Sequence, residues 1–238
     1  MTTRITDPNI VLRNNVLTKD FCNNLISKFE ANIEKAGKGV TSAGLNERAK
    51  RSLDLSMYQF DWIFKKEISF LNNILNGLLD DYVLGRKEWN CFKRINDTFA
   101  DPIDHGVFSP FSSQTGQHVF SIDINLQKTL PNDGYDWHND ASCETHDGLR
   151  VLTYIIYLND VKEGWTQFIN GDQVQPTAGS VLFFPATWTY VHRGYPPKSV
   201  KYIATNWICQ SMERLHLPRQ KEFLPEHTEL LEKIKNSV

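Results

Sequence analysis

The sequence predicts a mainly β protein with flanking helices, built around a β-sandwich or jelly roll. Its second half consists of short β-prone runs separated by turn residues, a pattern typical of these folds. The run from Leu149 to Leu158 is made almost entirely of β-formers and indicates a buried central strand. The first half instead has apolar residues at helical spacing, which indicates helices packed beside the sheets.

Two amphipathic helices are predicted in the first half. Thr18 can cap a helix from about Lys19 to Lys35, because its hydroxyl can accept a hydrogen bond from a free backbone amide. A second helix is expected from Phe60 to Leu84. The polar stretch between them, Val40 to Met57, is expected to be a solvated connection, with a loop beside a site as the alternative. The apolar stripe of the first helix is Phe21, Leu25, Phe29 and Ile33.

Short strands dominate the chain after about residue 117. A long loop from Asp97 to Gly116 precedes them, and Asn170-Gly171 is a hairpin signal. A final helix is expected at about residues 225–236. The predicted strands are Asn9 to Arg13, His118 to Leu126, Leu149 to Leu158, Thr166 to Ile169, Gln173 to Gln175, Ser180 to Phe184, Tyr190 to Arg193 and Val200 to Cys209.

Length and composition predict a single globular domain. The chain has 238 residues, of which 40% are hydrophobic and 23% are charged. The expected layout is mostly helical support over about residues 1–95 and a β core over about 117–210. The net charge is -2 and the lysines and arginines are dispersed, so no nucleic-acid partner is expected.

Cysteine usage and the N-terminal residues predict a cytoplasmic protein. The four cysteines form no CxxC pair, so reduced thiols are expected. The first residues lack the apolar run of a signal peptide, and no segment reaches the length and hydrophobicity of a membrane span. No membrane partner is expected. The cysteines are Cys22, Cys91, Cys143 and Cys209.

An imidazole and a carboxylate stand two residues apart in the stretch Tyr135-Asp136-Trp137-His138-Asn139-Asp140. On an extended strand, residues i and i+2 point to the same face, so His138 and Asp140 offer a nitrogen and an oxygen ligand together. His192, at the end of a later apolar strand, would complete a two-His, one-carboxylate set. Non-haem Fe(II) sites with open positions use this set. Trp137 and Asn139 would point to the opposite face.

A lysine follows in the last long strand. Lys201 lies among β-formers nine residues after His192. A lysine that points inward from such a strand is unfavourable without a partner. An anionic small molecule would supply that partner.

These residues together resemble the Fe(II)/2-oxoglutarate-dependent dioxygenases, and among them the prolyl 4-hydroxylase type. The resemblance rests on His138-x-Asp140, His192 and Lys201, with Tyr135 three residues before His138. The run Pro176-x-x-Gly179-Ser180-Val181-Leu182-Phe183-Phe184-Pro185 is similar to the family's approach to the second His. The resemblance implies a double-stranded β-helix, that is, a jelly-roll, cupin-like core.

The resemblance also implies roles for individual residues. His138, Asp140 and His192 would be the catalytic metal ligands and hold Fe(II). Lys201 would pair with the distal carboxylate of 2-oxoglutarate, and Tyr154 would hydrogen-bond the same group. O2 is the other co-substrate, and the family allows ascorbate as a further cofactor. Weaker candidates for contact with 2-oxoglutarate are Thr205 and Trp207, near the Lys201 end, and Gln127 or Lys128, on the far side.

One motif departs from the family's pattern. Many relatives carry Gly-Gly-Glu-Thr after the core strand, whereas this chain has Glu163-Gly164-Trp165-Thr166. The change leaves the candidate iron ligands intact and concerns the substrate or the rim of the site.

The expected activity is hydroxylation of a C–H bond, coupled to conversion of 2-oxoglutarate and O2 into succinate and CO2. The resemblance favours a prolyl or other residue of a peptide or protein as the substrate. A free amino acid or other small molecule is the alternative, and a non-catalytic cupin-like binding protein is a third hypothesis. The nearby aromatic residues would either form a substrate-facing wall or pack the strands; these are Trp137, Trp165, Trp188 and Tyr190.

Overall fold

The computed structural model describes residues 2–41, 43–84, 119–121, 123–142 and 149–210. The long loop expected at Asp97 to Gly116 and the expected C-terminal helix lie outside these ranges. The elements in chain order are β1 (Val11–Arg13), α1 (Lys19–Glu30), a 3₁₀ turn (Ile33–Lys35), β2 (Gly37–Lys38), β3 (Leu53–Ser56), α2 (Asp61–Leu84), β4 (Val119–Ser121), β5 (Asn125–Thr129), β6 (Tyr135–His138), β7 (Leu149–Tyr157), β8 (Thr166–Phe168), β9 (Gln173–Val174), β10 (Val181–Pro185), β11 (His192–Gly194) and β12 (Lys201–Gln210).

Two antiparallel sheets form the core. Within the described residues, the larger sheet has the order β1-β10-β7-β12-β5-β3-β2, with β4 also paired to β12. The smaller sheet has the order β6-β11-β8-β9. Apolar side chains of the larger sheet, such as Tyr157 and Phe184, pack against Phe168 and Val174 of the smaller one. The fold is therefore mainly β with a jelly-roll core, as predicted.

The helices cover the opposite face of the larger sheet. Period-two alternation along β7 and β12 sends Tyr154 and Ala204 towards the helices, and their neighbours towards the smaller sheet. Phe29 of α1 and Phe64 of α2 are fully buried in this second layer. Phe29 also meets the ring of Tyr202 on β12 edge-on, with centroids 6.2 Å apart.

Helix α1 begins where its cap predicts and ends earlier than expected. The Thr18 hydroxyl accepts a hydrogen bond from the Phe21 amide at 3.2 Å. The helix ends at Glu30 instead of continuing to Lys35. At that point the Asn32 side chain donates to the Lys28 carbonyl at 2.9 Å, while the Asn32 amide bonds Phe29. In a continuing α-helix the Asn32 backbone amide would donate to the Lys28 carbonyl. Here the Asn32 side chain makes that hydrogen bond instead, and a 3₁₀ turn follows.

The N-terminal residues contribute strands as well as helices. β1 pairs with β10, and β3 pairs with β5, so this part of the chain extends both edges of the larger sheet. The hairpin predicted at Asn170-Gly171 joins β8 to β9, with Gly171 at φ +90°.

Helix α2 spans 24 residues, and its apolar side is buried against the larger sheet. Its outer side carries exposed residues, among them Trp62. No helix within the described residues is both long and apolar enough to cross a membrane.

The packing of α1 on the sheet gives a stability prediction. Phe29→Ala should lower the free energy of unfolding by about 3–5 kcal/mol, because it removes a buried aromatic ring and leaves a cavity. The matched control is Phe70→Ala on α2, whose side chain is 44% exposed, with an expected loss of about 1 kcal/mol. Urea denaturation measures both values. Equal losses would contradict this packing.

Candidate metal centre and adjoining cavity

Strands β6 and β11 bring the three candidate metal ligands together. His138 is the last residue of β6 and lies directly opposite His192, the first residue of β11. Asp140 follows two residues after His138. Its carboxylate oxygens lie 3.8 Å from His138 Nε2 and 3.6 Å from His192 Nε2. One ligand atom from each of the three residues falls within 4.8 Å of the others, close enough for all three to bind one ion.

Hydrogen bonds to backbone carbonyls fix the orientation of both imidazoles. His138 Nδ1 lies 2.7 Å from the Asp136 carbonyl oxygen, and His192 Nδ1 lies 3.0 Å from that of Tyr190. Each Nδ1 can therefore donate to a carbonyl, which leaves Nε2, on the side of Asp140, as the nitrogen available to a metal. Burial, followed by the neighbouring His192, lowers the pKa of His138, which favours the neutral imidazole that a metal requires.

Asp140 is buried and held in its ionised form. Its Oδ2 accepts a 2.6 Å hydrogen bond from the Thr153 hydroxyl on β7. Burial opposes ionisation, but His192, His138, and hydrogen bonds from Thr153 and Trp207 together lower the pKa of Asp140. Two imidazole nitrogens and one carboxylate, each residue also held by a hydrogen bond from its other ring or carboxylate atom, match the donor set of non-haem Fe(II).

A cavity of about 470 Å³ adjoins the three ligands and runs between the two sheets. Lys201 lies in its wall, is 5% exposed, and donates to the Gly164 carbonyl at 2.9 Å. Within the described part of the chain, Lys201 forms no ion pair with a carboxylate. Burial lowers its pKa to about 8, so the side chain is still mostly charged at neutral pH. The cavity thus holds a buried cation suited to an anionic ligand.

The structure corrects the role expected of Tyr154. This side chain lies on the helix-facing side of β7, and its hydroxyl donates to the Asp123 carbonyl at 2.8 Å. The cavity face of β7 carries Thr153 and Ile155 instead, because adjacent strand residues point in opposite directions. Tyr154 therefore cannot reach a ligand of Lys201 from this strand.

Tyr157 is the tyrosine on the same face of the sheet as Lys201, and the sequence reasoning missed it. It lies opposite Ile203, which is two residues from Lys201 on β12. Its hydroxyl is 2.7 Å from the Thr166 hydroxyl, and burial raises its pKa above the usual range. The three-residue spacing from Tyr154 puts the two tyrosines on opposite faces. Only the register of β7 against β12 reveals which of them shares the face of Lys201.

The other residues expected to contact 2-oxoglutarate differ in their position relative to the cavity. Thr205 lines it and donates to the Tyr154 carbonyl at 2.6 Å. Trp207 also lines it, but beside Asp140, whose pKa it lowers through a hydrogen bond. Trp207 lies six residues from Lys201 along β12, a distance of about 20 Å. The prediction that Trp207 lies near Lys201 is therefore wrong. Gln127 lines the cavity, whereas Lys128 points away and pairs with Glu30.

The segment before β3, expected to be a solvated connection, instead forms a wall of the cavity. Lys50 forms a β-bridge with Tyr135, and its Nζ lies 2.7 Å from Asp54 Oδ2. Both side chains line the cavity. Lys50 also lies 5.3 Å from the centre of the Tyr135 ring, which stacks on His138. The alternative, a segment beside a site, is therefore the correct one.

The expected aromatic residues do not form a wall. Trp137 lies on the outer face of the smaller sheet, where the Arg193 guanidinium is 4.6 Å from its ring centre. Trp188 is exposed, and Trp165 is buried against Tyr195. The aromatic residues that do line the cavity are Tyr135 and Trp207.

Comparison with known families defines the class of this site. Residues 124–209 match the family model of the 2OG-Fe(II) oxygenase superfamily, and this stretch contains the three candidate ligands and Lys201. Together with the jelly roll and the ligand set, the match places this domain in that superfamily, whose cofactors are Fe(II), 2-oxoglutarate and O2. Residues 124–209 accordingly form an Fe(II)- and 2-oxoglutarate-dependent dioxygenase domain. No curated protein sequence matches the chain.

Solved structures of prolyl hydroxylases share the fold. A prolyl hydroxylase from Trichoplax adhaerens, in complex with a hypoxia inducible factor peptide fragment, is 14% identical, with a TM-score of 0.60 over 85% of this chain and 84% of that one. A Pseudomonas putida prolyl-4-hydroxylase is 13% identical, with a TM-score of 0.50 over 84% and 92%. A viral collagen prolyl hydroxylase from Paramecium Bursaria Chlorella virus-1 is 18% identical, with a TM-score of 0.50 over 84% and 88%.

The hydrogen bond from Thr153 to Asp140 gives a testable prediction. Thr153→Val should weaken metal binding about tenfold, because Asp140 loses the group that orients it. Calorimetric titration with Mn(II) measures the affinity. Thr177→Val, the same change at an exposed position, is the control and should leave it unchanged. An unaltered affinity in Thr153→Val would show that the other contacts of Asp140 suffice.

Proposed function

We propose that this dioxygenase hydroxylates a prolyl or other residue of a peptide or protein. The observation that carries the proposal is the placement of a two-His, one-carboxylate set and a buried lysine in the walls of one cavity. A non-catalytic cupin-like protein would have no need for an oriented metal set together with a buried cation.

The proposed roles follow from the geometry of the side chains. His138, Asp140 and His192 hold Fe(II) through Nε2, a carboxylate oxygen and Nε2, with Thr153 orienting Asp140. When bound, iron supplies the oxidative decarboxylation of 2-oxoglutarate by O2, which yields succinate and CO2 and is coupled to C–H hydroxylation. The protein holds the reactants in place and keeps water away.

Lys201 is proposed to bind the distal carboxylate of 2-oxoglutarate. Its ammonium is buried, charged at neutral pH and directed towards the cavity. The hydroxyls of Tyr157 on β7 and Thr166 on β8 meet between the two sheets at 2.7 Å, and Thr166, which lines the cavity, can contribute a further hydrogen bond. Ile155 and Ile203 line the same wall and limit access of water to the cofactor.

The substrate is proposed to approach from the side of Trp207. Arg150 stacks on the Trp207 ring with its guanidinium carbon 3.4 Å from the ring centre, next to the metal ligands. Such a cation–π pair offers a flat surface and hydrogen-bond donors to an extended chain. The peptide fragment bound by the Trichoplax prolyl hydroxylase, which shares this fold, supports a peptide substrate.

A free amino acid is the second candidate substrate. The ion pair between Lys50 and Asp54 lies in the cavity wall beside Tyr135, with side chains only 8% and 14% exposed. Opposite charges at this position suit a ligand that carries both an ammonium and a carboxylate.

We also propose that the N-terminal strands and helices form one catalytic domain with the matched core, since β1 and β3 pair with its strands. A cytoplasmic location is proposed on the basis of Cys22, which is a buried free thiol.

Substrate-dependent turnover tests the proposed function. Purified protein with Fe(II) and 2-oxoglutarate should release succinate faster with Pro-rich peptides than with free amino acids, and the peptide should gain one oxygen atom by mass spectrometry. His138→Ala should abolish turnover and weaken metal binding. Gln167→Leu, on the outer face of the smaller sheet, is the control and should keep both. Coupled turnover in His138→Ala would falsify the assignment.

The buried lysine predicts how 2-oxoglutarate binding depends on pH. Lys201 is protonated below its pKa of about 8 and neutral above it, so affinity should be highest below pH 8 and fall as pH rises through that value. The limiting slope is about tenfold per pH unit. Calorimetric titration of 2-oxoglutarate with Mn(II) present measures this between about pH 6.5 and 9.5. Lys201→Met should bind weakly at every pH, and an equally strong decline in that variant would exclude Lys201 as the cause.

A further inference from the structure

Among the described residues, the hydrogen-bond partner of the buried lysine is a backbone carbonyl. Lys201 Nζ donates to the Gly164 carbonyl at 2.9 Å. An ammonium has three N–H groups, so this contact leaves two for the cavity, and a carboxylate has two oxygens to receive them. The position of the Gly164 carbonyl therefore helps to determine where Lys201 directs its remaining protons.

The turn that presents this carbonyl has an unusual backbone. Glu163 and Gly164 have φ angles of +66° and +71°, two left-handed residues in succession. This conformation is unfavourable for a residue with a side chain, such as Glu163, unless neighbouring contacts hold it. A Cβ at Gly164 would lie 2.9 Å from Pro197 Cβ, so the turn is also closely packed. Contacts outside the turn must therefore maintain its shape.

The side chain of Gln175 supplies such contacts. Its Oε1 accepts a hydrogen bond from Trp165 Nε1 at 2.5 Å. Its Nε2 donates to the carbonyl of Val161 and, at 3.4 Å, to that of Glu163. One amide thus bonds residues before, within and after the left-handed pair. On the other side, the Trp165 carbonyl accepts from the Tyr195 amide at 2.8 Å.

The departure from the family's Gly-Gly-Glu-Thr motif changes a hydrogen bond that holds this turn. Trp165 stands where the acidic residue is expected, and its indole N–H is the donor that Gln175 accepts. A glutamate at this position could bond Gln175 only if the amide turned over, which would direct its oxygen at the Val161 and Glu163 carbonyls that its Nε2 now bonds. The indole of Trp165 and the amide of Gln175 are therefore complementary, and together they hold the turn.

We propose that Gln175, through Trp165 and the turn from Val161 to Trp165, is a positioning residue for 2-oxoglutarate binding, because it holds the Gly164 carbonyl against Lys201. The inference rests on the proposed role of Lys201. Gln175 does not line the cavity and acts only through the turn. Loss of its amide frees the turn, and the Lys201 ammonium then loses its fixed direction.

The test compares binding of 2-oxoglutarate to wild type and to Gln175→Leu, by anaerobic calorimetric titration with Mn(II) present. Gln175→Leu should raise the dissociation constant about tenfold. Trp165→Phe keeps the ring against Tyr195 but removes the indole donor, and should raise it about threefold. Mn(II) affinity should not change in either variant, because the described hydrogen bonds of the Gln175 and Trp165 side chains do not involve the metal ligands.

A second measurement separates positioning from general destabilisation. The carbonyl contact favours the charged form of Lys201, so its loss should lower the pKa and move the midpoint of the pH dependence of binding to lower pH. Gln167→Leu, in the neighbouring strand β8, is the matched control and should change neither affinity nor midpoint. If Gln175→Leu does not fold, Trp165→Phe decides the test by the same two measurements.

Three outcomes overturn the inference. Unchanged affinity and midpoint in the folded variants would show that the turn does not position Lys201. A parallel loss of Mn(II) affinity would show a general structural effect. Failure of the wild type itself to bind 2-oxoglutarate would overturn the proposed role of Lys201, and the inference with it.

Discussion

The functional site depends on the register between β6 and β11, which sets His138 directly opposite His192. The pairing is irregular: His192 faces His138 and Gly194 faces Tyr135, so the two strands advance by different numbers of residues. A bulge of this kind redirects side chains and is common beside active sites. Close approach also requires Gly134, where a Cβ would lie 2.6 Å from the Gly194 carbonyl oxygen. The geometry of the metal ligands therefore also depends on the backbone at Gly134 and Gly194, which supply no ligand.

Two buried charged residues, Asp140 and Lys201, lie at different points along the cavity. Asp140 and Lys201 are each no more than 7% exposed, and an isolated charge in such a place is strongly unfavourable. The protein compensates Asp140 with imidazoles and hydrogen bonds, whereas among the described residues Lys201 is compensated by a carbonyl. The site is thus nearly complete at the metal end and in need of an anion at the other. A dicarboxylate that ligates a metal through one end and meets Lys201 with the other satisfies both demands.

The sequence suffices for those parts of the site that depend on local spacing. His138 and Asp140 share a face because they are two residues apart, and the jelly roll follows from the many short strands. The choice between Tyr154 and Tyr157 needs the register of β7 against β12, which no local pattern contains. The wall formed by Lys50 and Asp54 depends on pairing with residues some eighty positions away. The early end of α1 depends on one side-chain hydrogen bond at Asn32.

The elements that carry the candidate iron ligands are separate from the element that carries Lys201. The candidate iron ligands lie on and beside the smaller sheet, whereas Lys201 extends from the larger sheet and its carbonyl partner belongs to the connection between β7 and β8. This connection can change in sequence without moving the iron ligands, because it shares no hydrogen bond with them among the described residues. A motif such as Glu163-Gly164-Trp165 can therefore depart from the family pattern while the metal set stays intact. The contact that this motif makes with the cavity, through the Gly164 carbonyl, is at Lys201.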